Sequence, residues 1–302
     1  MKHASKSSAA RLFSHRAGFL QWIALLCCLI SFPAFMHGQK TTISIEKSQY
    51  GMLFTTIQVN GNPVNAIIDF GDPNRLQLSE TLVKKMHIPV VKTDRVAMDV
   101  VGNQYEVNDG IIDSVQVGEW ILKNETFSSS PGEMELISRQ IDTEFHAVIG
   151  WGFFSDYYIT MNYHNNQIIV SAIREIPTQF SFSGQLDNQS SYLILQSKIN
   201  GVPANLILDT GAPLTLLDSS FFANNVFPST DTQVVHSGDT IPLKTISTTF
   251  RSSSVDLSYL IYELSAINFL AVGVIGGDVF DEYQVYIEPV EKWIYFTREN
   301  KK

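Results

Sequence analysis

Alternating apolar and polar residues predict two β-hairpins that lie 140 positions apart in the chain. Leu53–Val59 alternates and runs into Asn60-Gly61, a pair typical of a tight hairpin turn, after which Val64–Ile68 returns. The same pattern recurs in Tyr192–Ile199, Asn200-Gly201 and Ala204–Leu208. Each hairpin leads into an aspartate at a glycine turn, Asp69 in the first copy and Asp209 in the second. The pattern therefore predicts that each aspartate lies just past the end of a buried strand.

Elsewhere the periodicity predicts mostly strands. Ser79–Ile88 is the one segment with a helical pattern, because Leu82, Val83 and Met86 fall on one side behind Ser79, a residue suited to cap a helix. An apolar hairpin closes each half of the chain, formed by Tyr158–Tyr163 with Gln167–Val170 and by Gln284–Ile287 with Lys292–Phe296. These elements predict an all-β fold.

An internal repeat predicts two related lobes. Residues 59–76 and 199–216 align without a gap and share Asn, Gly, Pro, Asn, Ile, Asp, Gly, Pro and Leu in the same order. Val148-Ile149-Gly150 recurs downstream as Val274-Ile275-Gly276, at a shorter offset of 126. We expect lobes over residues 40–175 and 180–302, joined by the polar segment Ser181–Ser191.

The first 38 residues have the layout of a secretory signal peptide. They contain four bases and no acids, and Phe19–Phe35 is apolar apart from two residues. We expect export to the periplasm or the medium, with cleavage between Ala34 and Lys40. The alternative is an uncleaved anchor, because a segment of about 17 apolar residues is just long enough to span a bilayer. Both cysteines, Cys27 and Cys28, lie in this leader, so the mature chain would have none for a disulfide.

Composition and charge narrow the classes of function. The chain has 302 residues, of which 44% are hydrophobic and 17% charged, so a sizeable core is expected. Its net charge is −9; removing the four leader bases from the 21 leaves 17 against 30 acids, a net of −13. Such a chain would repel nucleic acids and anionic lipid surfaces. No metal-ligand spacing or phosphate loop occurs in the sequence, and we expect no metal or cofactor.

The motif around Asp209 resembles a known family. Leu206-Ile207-Leu208-Asp209-Thr210-Gly211-Ala212 is similar to the active-site loop of pepsin- and retropepsin-like aspartic proteases, and Ile149-Gly150 and Ile275-Gly276 resemble the strand that crosses behind that loop in each lobe. The resemblance covers essentially the whole mature chain and is closest to bacterial exported proteins with two retropepsin-like lobes in one chain. It implies a bilobal, pseudo-two-fold β-barrel pair that acts as a monomer on extended polypeptide.

The resemblance also implies a mechanism that needs both copies. Asp69 and Asp209 would form a carboxyl pair, and two carboxylates about 3 Å apart share one proton because both cannot ionise. The charged member would act as general base on a bound water, and the protonated member as general acid toward the scissile carbonyl. Gly71 and Gly211 would let backbone amides approach the carboxylates, and the Thr210 hydroxyl would bond to the opposite loop.

The first copy departs from the family motif at two positions. Phe70 stands where the family has Thr or Ser, so it cannot supply its half of the reciprocal grip between the loops. Asp72 adds a third carboxylate where the second copy has Ala212, and a like charge would raise the pKa values of the pair. One interpretation is a working protease with an altered pH range; the other is a catalytically impaired module that binds a peptide or protein in the same cleft. Phe70 either displaces the loops or packs in a pocket of its own.

A flap hairpin over the cleft is expected in the first lobe. Val101-Gly102-Asn103-Gln104-Tyr105 is the candidate, because an aromatic residue, Tyr105, follows a polar turn that contains Gly102. The alternative is an ordinary surface hairpin. In the second lobe the corresponding place would be 235–239.

Overall fold

The computed structural model describes residues 40–298, apart from 99–103, 188–190, 265–266 and 268–269. Within these ranges the chain forms three β-sheets, and its strands and helices are numbered here along the chain. Two of the sheets close into barrels, and the third contains strands from both halves of the chain. In the part of the chain that is described, no helix is long and apolar enough to cross a membrane.

The first lobe is built on an eight-stranded sheet of β2 (Glu46–Lys47), β3 (Leu53–Val59), β4 (Asn62–Asp69), β5 (Leu76–Leu78), β6 (Val90–Met98), β7 (Gln104–Val117), β8 (Trp120–Ser129) and β9 (Ala147–Gly150). The order is β2-β3-β4-β9-β5-β8-β7-β6, and an additional β3–β7 pairing closes six of these strands into a barrel. This lobe also contains α1 (Glu80–Lys85), α2 (Glu133–Gln140) and a 3-10 turn at Trp151–Phe153.

The second lobe repeats this plan with β13 (Ile194–Ile199), β14 (Val202–Leu208), β15 (Leu216–Asp218), β16 (Thr230–His236), β17 (Asp239–Phe250), β18 (Ser253–Tyr262) and β19 (Gly273–Ile275). Its order is β13-β14-β19-β15-β18-β17-β16, and a β13–β17 pairing closes the matching six strands. Two short helices belong to it, α3 (Ser219–Asn224) and α4 (Gly277–Phe280). The predicted all-β, two-barrel architecture is confirmed.

A six-stranded sheet joins the two halves of the chain. Its strands are β1 (Lys40–Ser44), β10 (Tyr158–Asn162), β11 (Gln167–Ser171), β12 (Phe182–Gln185), β20 (Tyr283–Glu288) and β21 (Trp293–Arg298), in the order β1-β11-β10-β20-β21-β12. The two closing hairpins meet at its centre, where Ile159 pairs with Ile287. Both residues are 1% exposed, so the seam between the halves is part of the core.

The two predicted Asn-Gly hairpins are confirmed in register. Val59 pairs with Asn62 across the first turn and Ile199 with Val202 across the second. The turn residues all have positive φ, at 47° and 78° for Asn60 and Gly61 and at 46° and 86° for Asn200 and Gly201. Asn and Gly tolerate this conformation, and it matches the twist of the flanking strands.

The helix prediction is correct at one place and incomplete elsewhere. Helix α1 lies within the predicted segment, and the Ser79 side chain caps it by accepting from the Leu82 amide at 3.1 Å. The expectation that no other segment is helical is wrong, since α2, α3 and α4 are also present. Helix α2 packs Met134 and Ile137 onto Ile67 of β4, so tertiary contacts favour a helix whose own sequence pattern is weak.

Candidate active site

The two aspartates lie at equivalent ends of two central strands. Asp69 is the last residue of β4 and lies opposite Gly150 of the parallel neighbour β9. Asp209 directly follows β14, and its amide donates to the Ile275 carbonyl of the parallel neighbour β19 at 3.0 Å. Because β4 and β14 each pair with a strand on both sides, the backbone at both carboxyls is held rigidly.

Backbone amides in each turn point at the carboxyl of the same turn. The Gly71 amide donates to Asp69 Oδ1 at 2.8 Å. Asp209 Oδ1 accepts from the Gly211 amide at 2.7 Å and from the Ala212 amide at 3.1 Å. Amide donors stabilise the ionised carboxylate, and Asp209 receives two of them from its own turn.

Each glycine lies against the carboxyl of the opposite lobe. A Cβ at position 71 would lie 2.5 Å from Asp209 Cγ, and a Cβ at position 211 would lie 2.9 Å from Asp69 Oδ2. Any larger side chain would therefore collide with the carboxyl across the interface. The structure brings Asp69, Asp209 and both glycines together at one point between the two barrels, so that each glycine borders the opposite carboxyl.

Thr210 links the two turns through its hydroxyl. This hydroxyl accepts from the Phe70 amide at 2.9 Å and donates to the Ile68 carbonyl at 2.8 Å, and Thr210 is fully buried. One side chain of the second lobe therefore satisfies two backbone groups of the first. The reciprocal bond has no side-chain hydroxyl to form it, because position 70 is a phenylalanine.

The Phe70 ring packs into its own lobe. It is 0% exposed and contacts Trp151 at 5.5 Å between centroids and 65° between planes, and Phe154 at 5.4 Å and 54°. Tilted and edge-on arrangements at these distances are favourable for aromatic rings. Of the two alternatives for Phe70, the structure therefore has the ring in a pocket of its own, and the turn keeps its bonds to Thr210.

Asp72 is held by three donors in the same turn. Its carboxylate accepts from the Asn74 amide at 2.9 Å, from Asn74 Nδ2 at 2.6 Å and from Gln77 Nε2 at 2.6 Å. Burial raises the pKa of Asp72, and these donors oppose the rise.

Burial is the largest cause that raises the pKa values of both paired carboxyls. The pKa of Asp69 lies well above its ordinary value because of desolvation, the charge of Asp209, and then the charge of Asp72. The pKa of Asp209 is also raised by desolvation, while the hydrogen bond from Asp69 and the turn amides lower it. The two carboxyls therefore titrate as one pair, and burial favours the form in which the pair carries a proton. The charge of Asp72 is among the causes that raise the pKa of Asp69 and the pKa of Asp209.

The hairpin of β6 and β7 contains the segment predicted as a flap. Tyr105 lies at the start of β7, half-buried and paired with Ala97, whereas Gly102 lies outside the described residues. A cavity of about 720 Å³ opens at the base of this hairpin, lined by residues that include Asn74, Leu76 and Phe127. Asn74 lines this cavity, and its amide and side chain both donate to Asp72, which lies on the turn of Asp69. In the second lobe, the hairpin of β16 and β17 turns at Ser237 and Gly238.

Sequence reasoning missed the residues that accommodate Phe70. Trp151 directly follows Gly150 and Phe154 lies four positions after it, and the equivalent positions after Gly276 hold Gly277 and Phe280. The change from Gly to Trp was therefore visible in the repeat, but nothing in the sequence connects position 151 to position 70. Asn74 and Gln77, which fix Asp72, were also missed, because their role depends on the path of the turn.

Two closed barrels, each with an aspartate at a glycine turn and with the two carboxyls facing each other, define the architecture of two-lobed retropepsin-like proteins. The comparison with protein families agrees with this class. Residues 55–151 match the family model described as aspartyl protease, a span that runs from β3 to the turn after β9 and includes Asp69 and Phe70. A search of the curated proteins finds no match to the chain.

Proposed function

We propose that the chain is an aspartic endopeptidase that hydrolyses peptide bonds with a water activated between Asp69 and Asp209. The observation that carries the proposal is the apposition of the two turns, in which each glycine lies against the opposite aspartate. Close approach of the two carboxyls supports the proposal, because acid–base hydrolysis without a covalent intermediate requires such a pair.

In the proposed mechanism Asp69 starts protonated and Asp209 charged. Asp209 takes a proton from the water, which attacks the scissile carbonyl, while Asp69 donates its proton to the carbonyl oxygen. The amides of Gly211 and Ala212 stabilise the charge on Asp209 before the reaction begins. As the tetrahedral intermediate collapses, the C–N bond breaks, Asp209 gives its proton to the leaving amine, and Asp69 takes a proton back from a hydroxyl of the intermediate, which restores the pair and releases both products. The pair titrates as a unit, so a bell-shaped pH–rate profile reports both members together.

An extended polypeptide is the substrate class that fits this site. The carboxyl pair lies between two barrels, and we assign the cavity beside the β6–β7 hairpin, which has Asn74 in its lining, to a side chain of the bound polypeptide. Both carboxyls come from one chain, so we propose that a monomer is sufficient for activity.

A second candidate function is a peptide- or protein-binding module that has lost catalysis. Phe70 favours it, because one of the two reciprocal side-chain hydroxyls that would link the turns is missing. Against it, the surviving half satisfies the Phe70 amide and the Ile68 carbonyl, and the two carboxyls remain in contact.

Hydrolysis of an unfolded protein between about pH 3 and pH 7 tests the proposal, because a singly protonated pair is expected within this range. Cleavage that is blocked by a peptide with a hydroxyl in place of the scissile carbonyl supports a protease. Tight binding of that peptide without cleavage supports the binding module.

We further propose that the protein is exported, on the basis of the basic and then apolar leader. Amino-terminal sequencing of the protein from its native host should find a start between Phe35 and Thr42. Intact Met1 in a soluble cytoplasmic fraction would contradict export.

A further inference from the structure

Asp72 is a third carboxylate on the turn that carries Asp69, and the neighbouring strand fixes it in place. Its backbone carbonyl accepts from the Trp151 amide at 2.7 Å. Gly150 lies over it so closely that a Cβ there would be 3.1 Å from Asp72 Cγ. The residue therefore lies under the end of β9, on the turn of Asp69, where its own amide donates to the Asp69 carbonyl at 3.2 Å. The equivalent position in the second lobe is Ala212, so this carboxylate breaks the symmetry of the site.

Burial raises the pKa of Asp72, and the hydrogen-bond donors around it favour the ionised form. Three N–H donors, two from Asn74 and one from Gln77, converge on its two oxygens. Such donors bond to the charged form and oppose the effect of burial. Burial is the largest cause that raises the pKa values of Asp69, Asp209 and Tyr192, and the charge of Asp72 adds to the rise in all three.

Asp72 also bonds to a residue that lines the cavity beside the β6–β7 hairpin. Asn74 lines that cavity, and both its amide and its side chain are held by Asp72 Oδ1. The orientation of the Asn74 side chain at the cavity wall therefore depends on the acceptor that Asp72 supplies.

We propose that Asp72 is a positioning residue with two separable roles: its charge sets the pH range over which the carboxyl pair is singly protonated, and its oxygens hold Asn74 at the cavity that receives the substrate. The proposal rests on the proposed peptidase function for the second role. The first role concerns the carboxyl pair itself and is measurable without turnover.

The other charged and titratable groups around the pair have partners or stay neutral. Tyr163 lies beneath the pair, and burial together with the charges of Asp281, Asp209 and Asp69 raises its pKa well above the ordinary value. The remaining groups are engaged in pairs of their own, namely Lys47 with Asp281, Arg75 with Glu125, and Asp278 with Thr215. Asp72 is thus the third carboxylate whose charge acts on both members of the pair.

Two substitutions separate the roles. Asp72→Asn removes the charge and keeps a carbonyl oxygen that accepts from Asn74, whereas Asp72→Ala removes both. In both variants the basic limb of the kcat/KM profile should move to lower pH, because a like charge has been removed from the pair. The acidic limb should move less, since Asp72 itself takes up a proton at low pH. Asp72→Ala alone should also raise KM about two- to tenfold, because Asn74 loses both bonds that hold it at the cavity wall.

The matched control is Asp231→Asn, which removes one exposed carboxylate from the β16–β17 hairpin. It should leave both limbs and KM unchanged. A basic limb that does not move in Asp72→Asn would overturn the charge role, and a KM in Asp72→Ala equal to that in Asp72→Asn would overturn the Asn74 role.

A titration of the aspartate carboxyls by carbon-13 NMR distinguishes failure of this proposal from failure of the proposed function. If the wild-type protein hydrolyses nothing, yet the pair titrates at lower pH in Asp72→Asn, the peptidase function is wrong and the charge role stands. If hydrolysis occurs and the titration is the same in both proteins, the peptidase function stands and the charge role is wrong.

Discussion

The two turns that carry Asp69 and Asp209 make matching backbone hydrogen bonds and are stabilised in different ways. In the second lobe, Thr210 sends its hydroxyl across the interface and bonds to two backbone groups of the first lobe. In the first lobe, Phe70 turns away from the interface and packs between Trp151 and Phe154. The comparison teaches that one hydroxyl is enough to join the turns when the other turn is anchored by packing in its own barrel.

The difference extends to the strand behind each turn. Trp151 follows β9 in the first lobe, whereas Gly277 occupies the equivalent position after β19 in the second. The Trp151 amide donates to the Asp72 carbonyl and the Gly277 amide to the Ala212 carbonyl, so the backbone contact is the same in both lobes. The Trp151 side chain forms one side of the pocket that holds the Phe70 ring, so the two residues depend on each other for packing.

The largest effect on stability is expected for Phe70→Thr. Removing a fully buried phenyl ring leaves a cavity, and such truncations cost about 3–5 kcal/mol of unfolding free energy. The restored hydroxyl should not raise activity, because the turn already holds its position. Urea unfolding and the rate of hydrolysis measure the two effects. Phe180→Thr, which alters a 46% exposed ring, should cost much less. A gain in activity with unchanged stability would show that Phe70 impairs the carboxyl pair.

A smaller loss is expected for Thr210→Val, which keeps the shape of the side chain and removes its hydroxyl. The Phe70 amide and the Ile68 carbonyl would lose their buried partner, at a cost of about 1–3 kcal/mol for a group left unsatisfied. Activity should fall with stability, because the two turns are no longer joined. Thr210→Ser keeps the hydroxyl and should retain most of both. Equal stability of the Val and Ser variants would show that packing alone holds the first turn.

The sequence predicted the parts of this comparison that depend on local pattern. The hairpins, their register and the ends of the strands at Asp69 and Asp209 follow from alternation and from the Asn-Gly turns. The direction of the Phe70 ring does not follow, because it depends on Trp151, which is distant in sequence. Helix α2 was missed for a similar reason. It begins after Gly132, at φ 84° and without a side-chain cap, and its buried residue Met134 contacts β3 and β4.

The smallest effect concerns stability against pH. The folded-state pKa of Asp69 lies well above 3.8, mainly through burial and the charge of Asp209. From about pH 4 up to the raised pKa, the folded protein holds a proton that the unfolded chain releases, so the unfolding free energy falls as pH rises. Asp69→Asn removes this titration and should flatten the decline in thermal midpoint, whereas Asp231→Asn should leave the slope as it is. Identical slopes in all three proteins would show that the pair does not share a proton.

The central claim is that the turn with Phe70 supplies a working half of the carboxyl pair. The most direct measurement is hydrolysis of an unfolded protein by Asp69→Asn, beside Asp209→Asn and the wild type, with folding checked by thermal unfolding. A carboxyl pair that works as acid and base predicts that both variants fold and that each loses at least about 100-fold in rate. An Asp69→Asn variant that folds and retains near-normal hydrolysis, while Asp209→Asn is inactive, would contradict the account.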